Sequence, residues 1–319
     1  MAEHALSQLK AAGTVVIVDT ADFKKMAQFE ASEGTTNPSL LYAAAQNESY
    51  AELVADTISY TKSLPALVPI ADRLTAAVDH LAVSFGTQIY KLTGRVSTEV
   101  DVSLSFNTPA TIASGLRIIE LYAKRGVPKE HVRIKISATW EGIQAAKVLQ
   151  EDHGVSCLVT IVFGLAQAAA AAEAGVDAIA PYVGRIADWG KVHGYQGDHG
   201  VETVSAIVNY LRKYGYKTQV MAASFRNAKQ VRDLAGIDLL TASPVILEAF
   251  QAEQEEIVPI LNSESAQISK LDKLSCVTDE ALFRWAMNMD ACAVEKSAEA
   301  MRKFLDDTEK LKSLLASML

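Results

Sequence analysis

The stretch from Arg133 to Trp140 reads RIKISATW. Its first half alternates with period two, the pattern of a strand, and Trp140 opens a helical pattern that runs to His153 and stops at Gly154. That is one strand-to-helix unit. Within the strand sits Lys135, where a purely structural strand would carry another Val or Ile. Burying an ammonium without a partner costs several kcal/mol, so this lysine needs a partner, a lowered pKa or a different strand assignment. A desolvated lysine amine is the group that attacks a ketone to form a Schiff base. The plainer alternative is an edge lysine that snorkels to water.

Working outward, the same alternation recurs. Glu3 to Ala12 reads as a short helix before the strand TVVIVDT, and GTTNPS (Gly34 to Ser39) is a second, short strand whose Pro38 suits the first position of a helix. Leu40 to Leu92 carries two long helical patterns separated near Leu64 and Pro65, which predicts an inserted helical hairpin. GRVSTEVD is the third strand, with Ser97, Glu99 and Asp101 on one face. Beyond the central unit come SCLVTIVF, VDAIAPYVGRI, YKTQVMAASF and IDLLTASP, separated by the helical segments Ala166–Ala174, Val201–Lys213 and Asn227–Ala235. Eight strands alternating with helices, and no Gly-rich dinucleotide fingerprint after the first, predict an α/β fold. The expected architecture is a single (β/α)8 TIM barrel spanning residues 1–319 as one domain, with the hairpin after strand two and a C-terminal helical extension from Asp279 to Leu319.

Composition narrows the function. The 319 residues carry a net charge of −8 and a sequence pI of about 5.4. This balance argues against nucleic-acid partners and requires any anionic substrate to find a local arginine cluster. No apolar run is long enough for a membrane span, and MAEHALSQLK lacks the pattern of a signal peptide, so a cytoplasmic protein is expected. Cys157, Cys276 and Cys292 form no CxxC pair, which points away from disulfides and zinc. His193 and His199 in KVHGYQGDHG have Asp198 nearby but no regular ligand spacing, so no metal is expected.

In a barrel of this kind the chemistry sits at the carboxyl ends of the strands. Asp19 ends the first strand and Asn37 the second, although either could serve only as a helix cap. Glu99 lies on the third, where a barrel interior favours pairing with Lys135. Thr160 is on the fifth, Tyr182 and Arg185 follow the sixth, and Ser224 and Arg226 follow the seventh. Ser224-Phe225-Arg226 stands where a strand turns into a helix, and free backbone N–H groups with an arginine there would make an anion site.

These residues lie in DTADF at Asp19, TTNPSL at Thr35, RVSTEVD at Arg95, IKISATWEGI at Ile134, PYVGRIADW at Pro181 and ASFRN at Ala223. In that order they resemble the motifs of the transaldolase family, and the resemblance extends to the tail FRWAMNMDACAVEK. It implies a class I enzyme, without cofactor or metal, that moves a dihydroxyacetone unit between sugar phosphates in the pentose phosphate pathway. Lys135 would be the Schiff-base lysine and Asp19 the base for the C4 hydroxyl proton. Glu99 and Thr160 would hold a proton-shuttling water, and Asn37 would orient hydroxyls. Arg185, Ser224 and Arg226 would bind the phosphate.

Three donor-site positions depart from the usual pattern of this branch. Leu158 stands in place of Asn, Ala180 in place of Ser and Tyr182 in place of Phe, as in the related fructose 6-phosphate aldolases, whose tyrosine helps manage the catalytic water. Aldolase-type cleavage to free dihydroxyacetone is therefore the alternative activity. A non-catalytic sugar-phosphate binder is a weaker one, since it would need none of Lys135, Asp19 and Glu99. Met301, Phe304, Leu305 and Leu311 suit packing of the last helix on the barrel or, in a homodimer, on a second copy.

Overall fold

In the computed structural model, which describes residues 4–22, 26–29, 31–274 and 278–319, eight parallel strands close into a barrel in chain order. They are β1 Val15–Asp19, β2 Gly34–Thr35, β3 Val96–Glu99, β4 Val132–Ser137, β5 Ser156–Val162, β6 Ala178–Pro181, β7 Gln219–Ala222 and β8 Leu239–Ala242. Val15 to Val18 pair with Leu239 to Ala242, so the sheet has no edge. With helices around it this is a (β/α)8 TIM barrel.

Helix α1 (Ala5–Ala11) precedes β1, and α2 (Pro38–Ala45), α3 (Ala51–Ser63) and α4 (Ile70–Thr93) lie between β2 and β3. The next strands are followed in turn by α5 (Thr108–Lys124), α6 (Trp140–His153) and α7 (Leu165–Glu173). Between β6 and β7 come α8 (Val183–Val192) and α9 (His199–Lys213), then α10 (Ala228–Arg232) before β8 and α11 (Pro244–Gln251) after it. The chain ends with α12 (Ser263–Gln267), α13 (Glu280–Met289) and the long α14 (Ala291–Ala316). Among the described residues no helix is long and apolar enough to cross a membrane. Cys276 lies outside them.

Three local expectations change. The span read as two helices holds three, because Asn47 accepts a hydrogen bond from the Ser49 amide at 2.9 Å and turns the chain between α2 and α3. The helix before β8 stops at Arg232 rather than Ala235, whose carbonyl instead accepts from the Ile260 and Leu261 amides. The helix before β7 opens at His199 rather than Val201, because Asp198 caps the Gly200 and Val201 amides, each at 3.0 Å.

Two apolar layers surround the strands. Ile17, Leu158, Met221 and Leu239 fill the lumen with Phe304 of α14, while Ile134, Val159, Ile179 and Leu240 face the helices. A separate outer cluster joins Leu41 of α2, Val54 of α3, Leu81 and Phe85 of α4, and Leu311 and Leu315 of α14.

Candidate active site

Every residue of β4 is buried, so Lys135 is an interior lysine and the snorkelling alternative fails. Its neighbours follow from the register. Glu99 lies opposite on β3 and Leu158 on β5, while Ser137, two residues on, faces Thr160. The Lys135 ammonium donates to the Thr36 carbonyl at 2.9 Å and stands 3.4 Å from Glu99 Oε2. Neither Glu99 oxygen has a hydrogen-bond partner among the described residues, so this is an ion pair without hydrogen-bond geometry.

Burial acts first to lower the Lys135 pKa, but Glu99, Tyr182 and Asp19 outweigh it and leave the pKa raised. The partner anticipated from sequence therefore exists, and the lowered pKa does not. Burial raises Asp19 and Glu99 against the opposing pull of Lys135. Asp19 accepts a hydrogen bond of 2.9 Å from the Thr35 hydroxyl, which lies 3.1 Å from the Thr241 hydroxyl. Thr160 and Tyr182 share a hydrogen bond of 2.9 Å.

Asp19, Asn37, Lys135, Thr160, Tyr182 and Arg185 line one cavity at the carboxyl ends of the strands. Ser224, Leu158 and Ala180 line it too. Asn37 lines the cavity and its side chain also caps α2 through the Leu40 amide at 3.0 Å. Glu99 instead faces an adjoining small cavity that it shares with Asp79 and Asp101, and Asn37 touches both cavities.

Arg226 stands apart. Its guanidinium pairs with Asp188 at 2.8 Å and donates to the Ser224 carbonyl at 3.0 Å, and it does not line the cavity. Its backbone N–H is not free either, because the Gln230 side chain accepts it at 2.8 Å. Ser224 adopts φ +61°, a left-handed conformation unusual for a residue with a Cβ, and this strain sits at the cavity wall. Gly184 lets α8 approach this turn, because a Cβ there would meet the Ser224 carbonyl oxygen at 2.2 Å.

Phe304 is the lining residue that sequence reading left on the outside of the barrel. The Arg185 guanidinium lies 5.2 Å from the Tyr182 ring centre and 5.5 Å from that of Phe304, so two aromatic faces hold the cation that, among the described residues, lines the cavity beside Lys135. The i, i+3, i+4 pattern of α14 marks Phe304 as buried but carries no sign of what it is buried against. Thr35 and Thr241, which surround Asp19, are likewise ordinary strand residues by sequence.

The cavity can bring a buried amine, one carboxyl of raised pKa, Asp19, and a positioned guanidinium to a small polar substrate, with a second raised carboxyl, Glu99, 3.4 Å from the amine. Among the described residues no group of three or more His, Cys, Asp or Glu side chains could hold a metal ion. Residues 16–315 match the family model described as Transaldolase/Fructose-6-phosphate aldolase. The chain is 46% identical to a transaldolase of Bos taurus over 98% of its own length and 94% of that protein's. It is 46% identical to transaldolases of Saccharomyces cerevisiae, covering 99% and 95% of the two chains, and of Homo sapiens, covering 98% and 94%.

Proposed function

This chain belongs to the transaldolase and fructose-6-phosphate aldolase family, and from that premise we propose how its buried residues carry the reaction. It is a transaldolase, an enzyme that transfers a dihydroxyacetone unit between sugar phosphates in the pentose phosphate pathway. The observation that supports our assignment of roles is the position of Lys135, an interior lysine 3.4 Å from Glu99 in the cavity that Asp19 also lines.

Lys135 rests as an ammonium and passes a proton to Glu99 before its nitrogen attacks the ketose C2 carbonyl. The carbinolamine loses water to give an iminium. Thr160 and Tyr182, already hydrogen-bonded to each other, hold that water with Glu99. Asp19 takes the proton of the C4 hydroxyl, the C3–C4 bond breaks, and its electron pair moves into the iminium. An aldose phosphate leaves, and the bound three-carbon unit adds to an acceptor aldehyde by the reverse steps. Asn37 orients hydroxyls, and Arg185, Ser224 and Arg226 bind the phosphate, which requires Arg226 to exchange Asp188 for substrate.

In our reading the enzyme is cytoplasmic, a view supported by the buried unpaired thiols Cys157 and Cys292. A homodimer is supported by Leu282, Trp285 and Met289, which leave one exposed apolar face on α13. The direct test incubates the enzyme with fructose 6-phosphate, with and without erythrose 4-phosphate, and follows glyceraldehyde 3-phosphate. Release that depends on the acceptor is expected. Release without it, with free dihydroxyacetone, would show that Leu158, Ala180 and Tyr182 have converted the site to hydrolysing its intermediate. Borohydride reduction in the presence of fructose 6-phosphate is expected to label Lys135, and labelling elsewhere would overturn its role.

A further inference from the structure

The amino end of the barrel, opposite the candidate active site, holds a second polar cavity of about 630 Å³. Among the described residues that line it, Arg95, Arg133 and Lys217 are cationic and Asp177 is the one carboxylate. Arg133 precedes Lys135 by two residues on β4, so alternation sends both side chains into the lumen, with Arg133 one layer nearer the amino end. Its side chain is only 4% exposed. One terminal nitrogen donates to Gln219 Oε1 at 3.2 Å, and the other stands 3.4 Å from Glu33 Oε2. That second nitrogen and Nε have no hydrogen-bond partner among the described residues, and neither has Arg95 Nε.

Glu33 Oε2 stands 3.4 Å from Arg133 and 3.9 Å from Arg95 Nε without hydrogen-bonding either nitrogen, while its other oxygen accepts the Ser97 hydroxyl at 2.6 Å. Burial is the largest cause pulling the Arg133 pKa down, and Arg95 pulls the same way against Glu33. The guanidinium, which lines the cavity, thus keeps Nε and the nitrogen beside Glu33 without a hydrogen bond among the described residues. The cavity has room, since Gly175 and Gly215 line it with nothing within 4 Å of where a Cβ would stand.

We propose that this amino-end cavity binds a phosphoryl group, at a site separate from the one that takes substrate. A tetrahedral oxyanion offers acceptors in several directions, as the buried guanidinium of Arg133, the half-buried Arg95 and the exposed Lys217 require. A planar carboxylate meets fewer of them. Residues in this part of a TIM barrel usually serve stability, and a layer closed only by water is the outcome that would contradict the proposal.

Equilibrium dialysis of the intact enzyme with labelled inorganic phosphate at low ionic strength provides the test. Two equivalents per chain are expected, one at the substrate phosphate site and one here. The double variant Arg95→Gln, Lys217→Gln removes two cations outside the catalytic cavity. It should weaken one equivalent by about tenfold or more, while phosphate still competes with substrate in turnover. Glycerol 1-phosphate supplies the second arm. Displacement of phosphate from this site at lower concentration identifies a phosphate ester as the better ligand, and failure to displace identifies free phosphate. A single equivalent in the unmodified enzyme, or a second one indifferent to the double variant, overturns the proposal. Should the double variant fold poorly, selenate soaked into crystals of the unmodified enzyme decides. An anomalous peak within hydrogen-bond distance of Arg133 supports the site, and none there refutes it.

Discussion

At Lys135 two effects of burial compete, loss of hydration and closeness to carboxylates, and the second prevails. Glu99 is the largest contributor to that second effect, so Glu99→Gln should lower the pH at which the amine becomes nucleophilic. The pH profile of borohydride trapping with dihydroxyacetone as donor reads this directly. Its midpoint should fall in Glu99→Gln while turnover drops by roughly 10²–10⁴ for want of the proton acceptor. An unmoved midpoint would mean that the 3.4 Å contact does not couple the two groups. Asp19 makes the converse case. Its folded pKa is raised, chiefly by burial, so the native state favours its protonated form. Any stability this gives is complete below the ordinary carboxylate value of 3.8 and is lost as pH rises through the folded value. At pH 7, above the ordinary value, the raised pKa of Asp19 therefore works against folding, and Asp19→Asn should raise the melting temperature while turnover collapses. The gain should shrink as pH falls towards 3.8, and a variant that melts lower than the unmodified protein at pH 7 would refute the argument.

Strand β5 shows how one element aims several residues. Its register against β6 slips between Thr160 and Val162, and Ile161 at the slip takes φ +63°. Gln167 of α7, fully buried, holds this irregular backbone. Its amide nitrogen donates to the Ile161 and Ala138 carbonyls, each at 3.0 Å, and to the Ser297 hydroxyl of α14 at 3.2 Å. Its oxygen accepts the Phe163 and Gly164 amides at 2.8 and 3.2 Å. Gln167→Leu strands several buried backbone groups and should cost about 2–4 kcal/mol in a urea titration. It should also lower kcat by releasing Thr160 at the end of the strand, and an unchanged midpoint with unchanged kcat would show that the network is ornamental. The strand itself was legible in SCLVTIVF, because a short apolar run after Gly154 depends only on neighbouring residues. The slip was not, because it depends on a glutamine inside an alanine-rich helix that reads as a generic amphipathic segment. The same distinction explains Asn47 and Ala235, where a local side-chain turn and a distant pair of amides moved helix ends that periodicity had placed elsewhere.

Across the whole molecule the barrel was predictable from the count and alternation of strand and helix patterns, and the residues closing each strand marked most of the cavity. What no local pattern could reveal is that α14 joins two regions. Phe304 reaches the lumen beside Arg185, while Leu311 and Leu315 complete the outer cluster with α2, α3 and α4. Ser39 of α2 also bonds Asp307 between them. The outer cluster therefore helps hold the wall of a cavity it does not touch. Leu311→Ala removes a side chain that is 1% exposed and should cost about 2–5 kcal/mol, depending on how far the neighbouring helices relax. Because the barrel strands have their own core, the loss should fall first on the seating of α14, with Phe304 and Arg185 affected before the sheet. In urea, activity of Leu311→Ala should disappear at a concentration where far-UV ellipticity is still near native, whereas the two transitions of the unmodified enzyme lie closer together. Coincident transitions in the variant, at the midpoint of the unmodified protein, would show that α14 and the barrel are energetically independent of this contact.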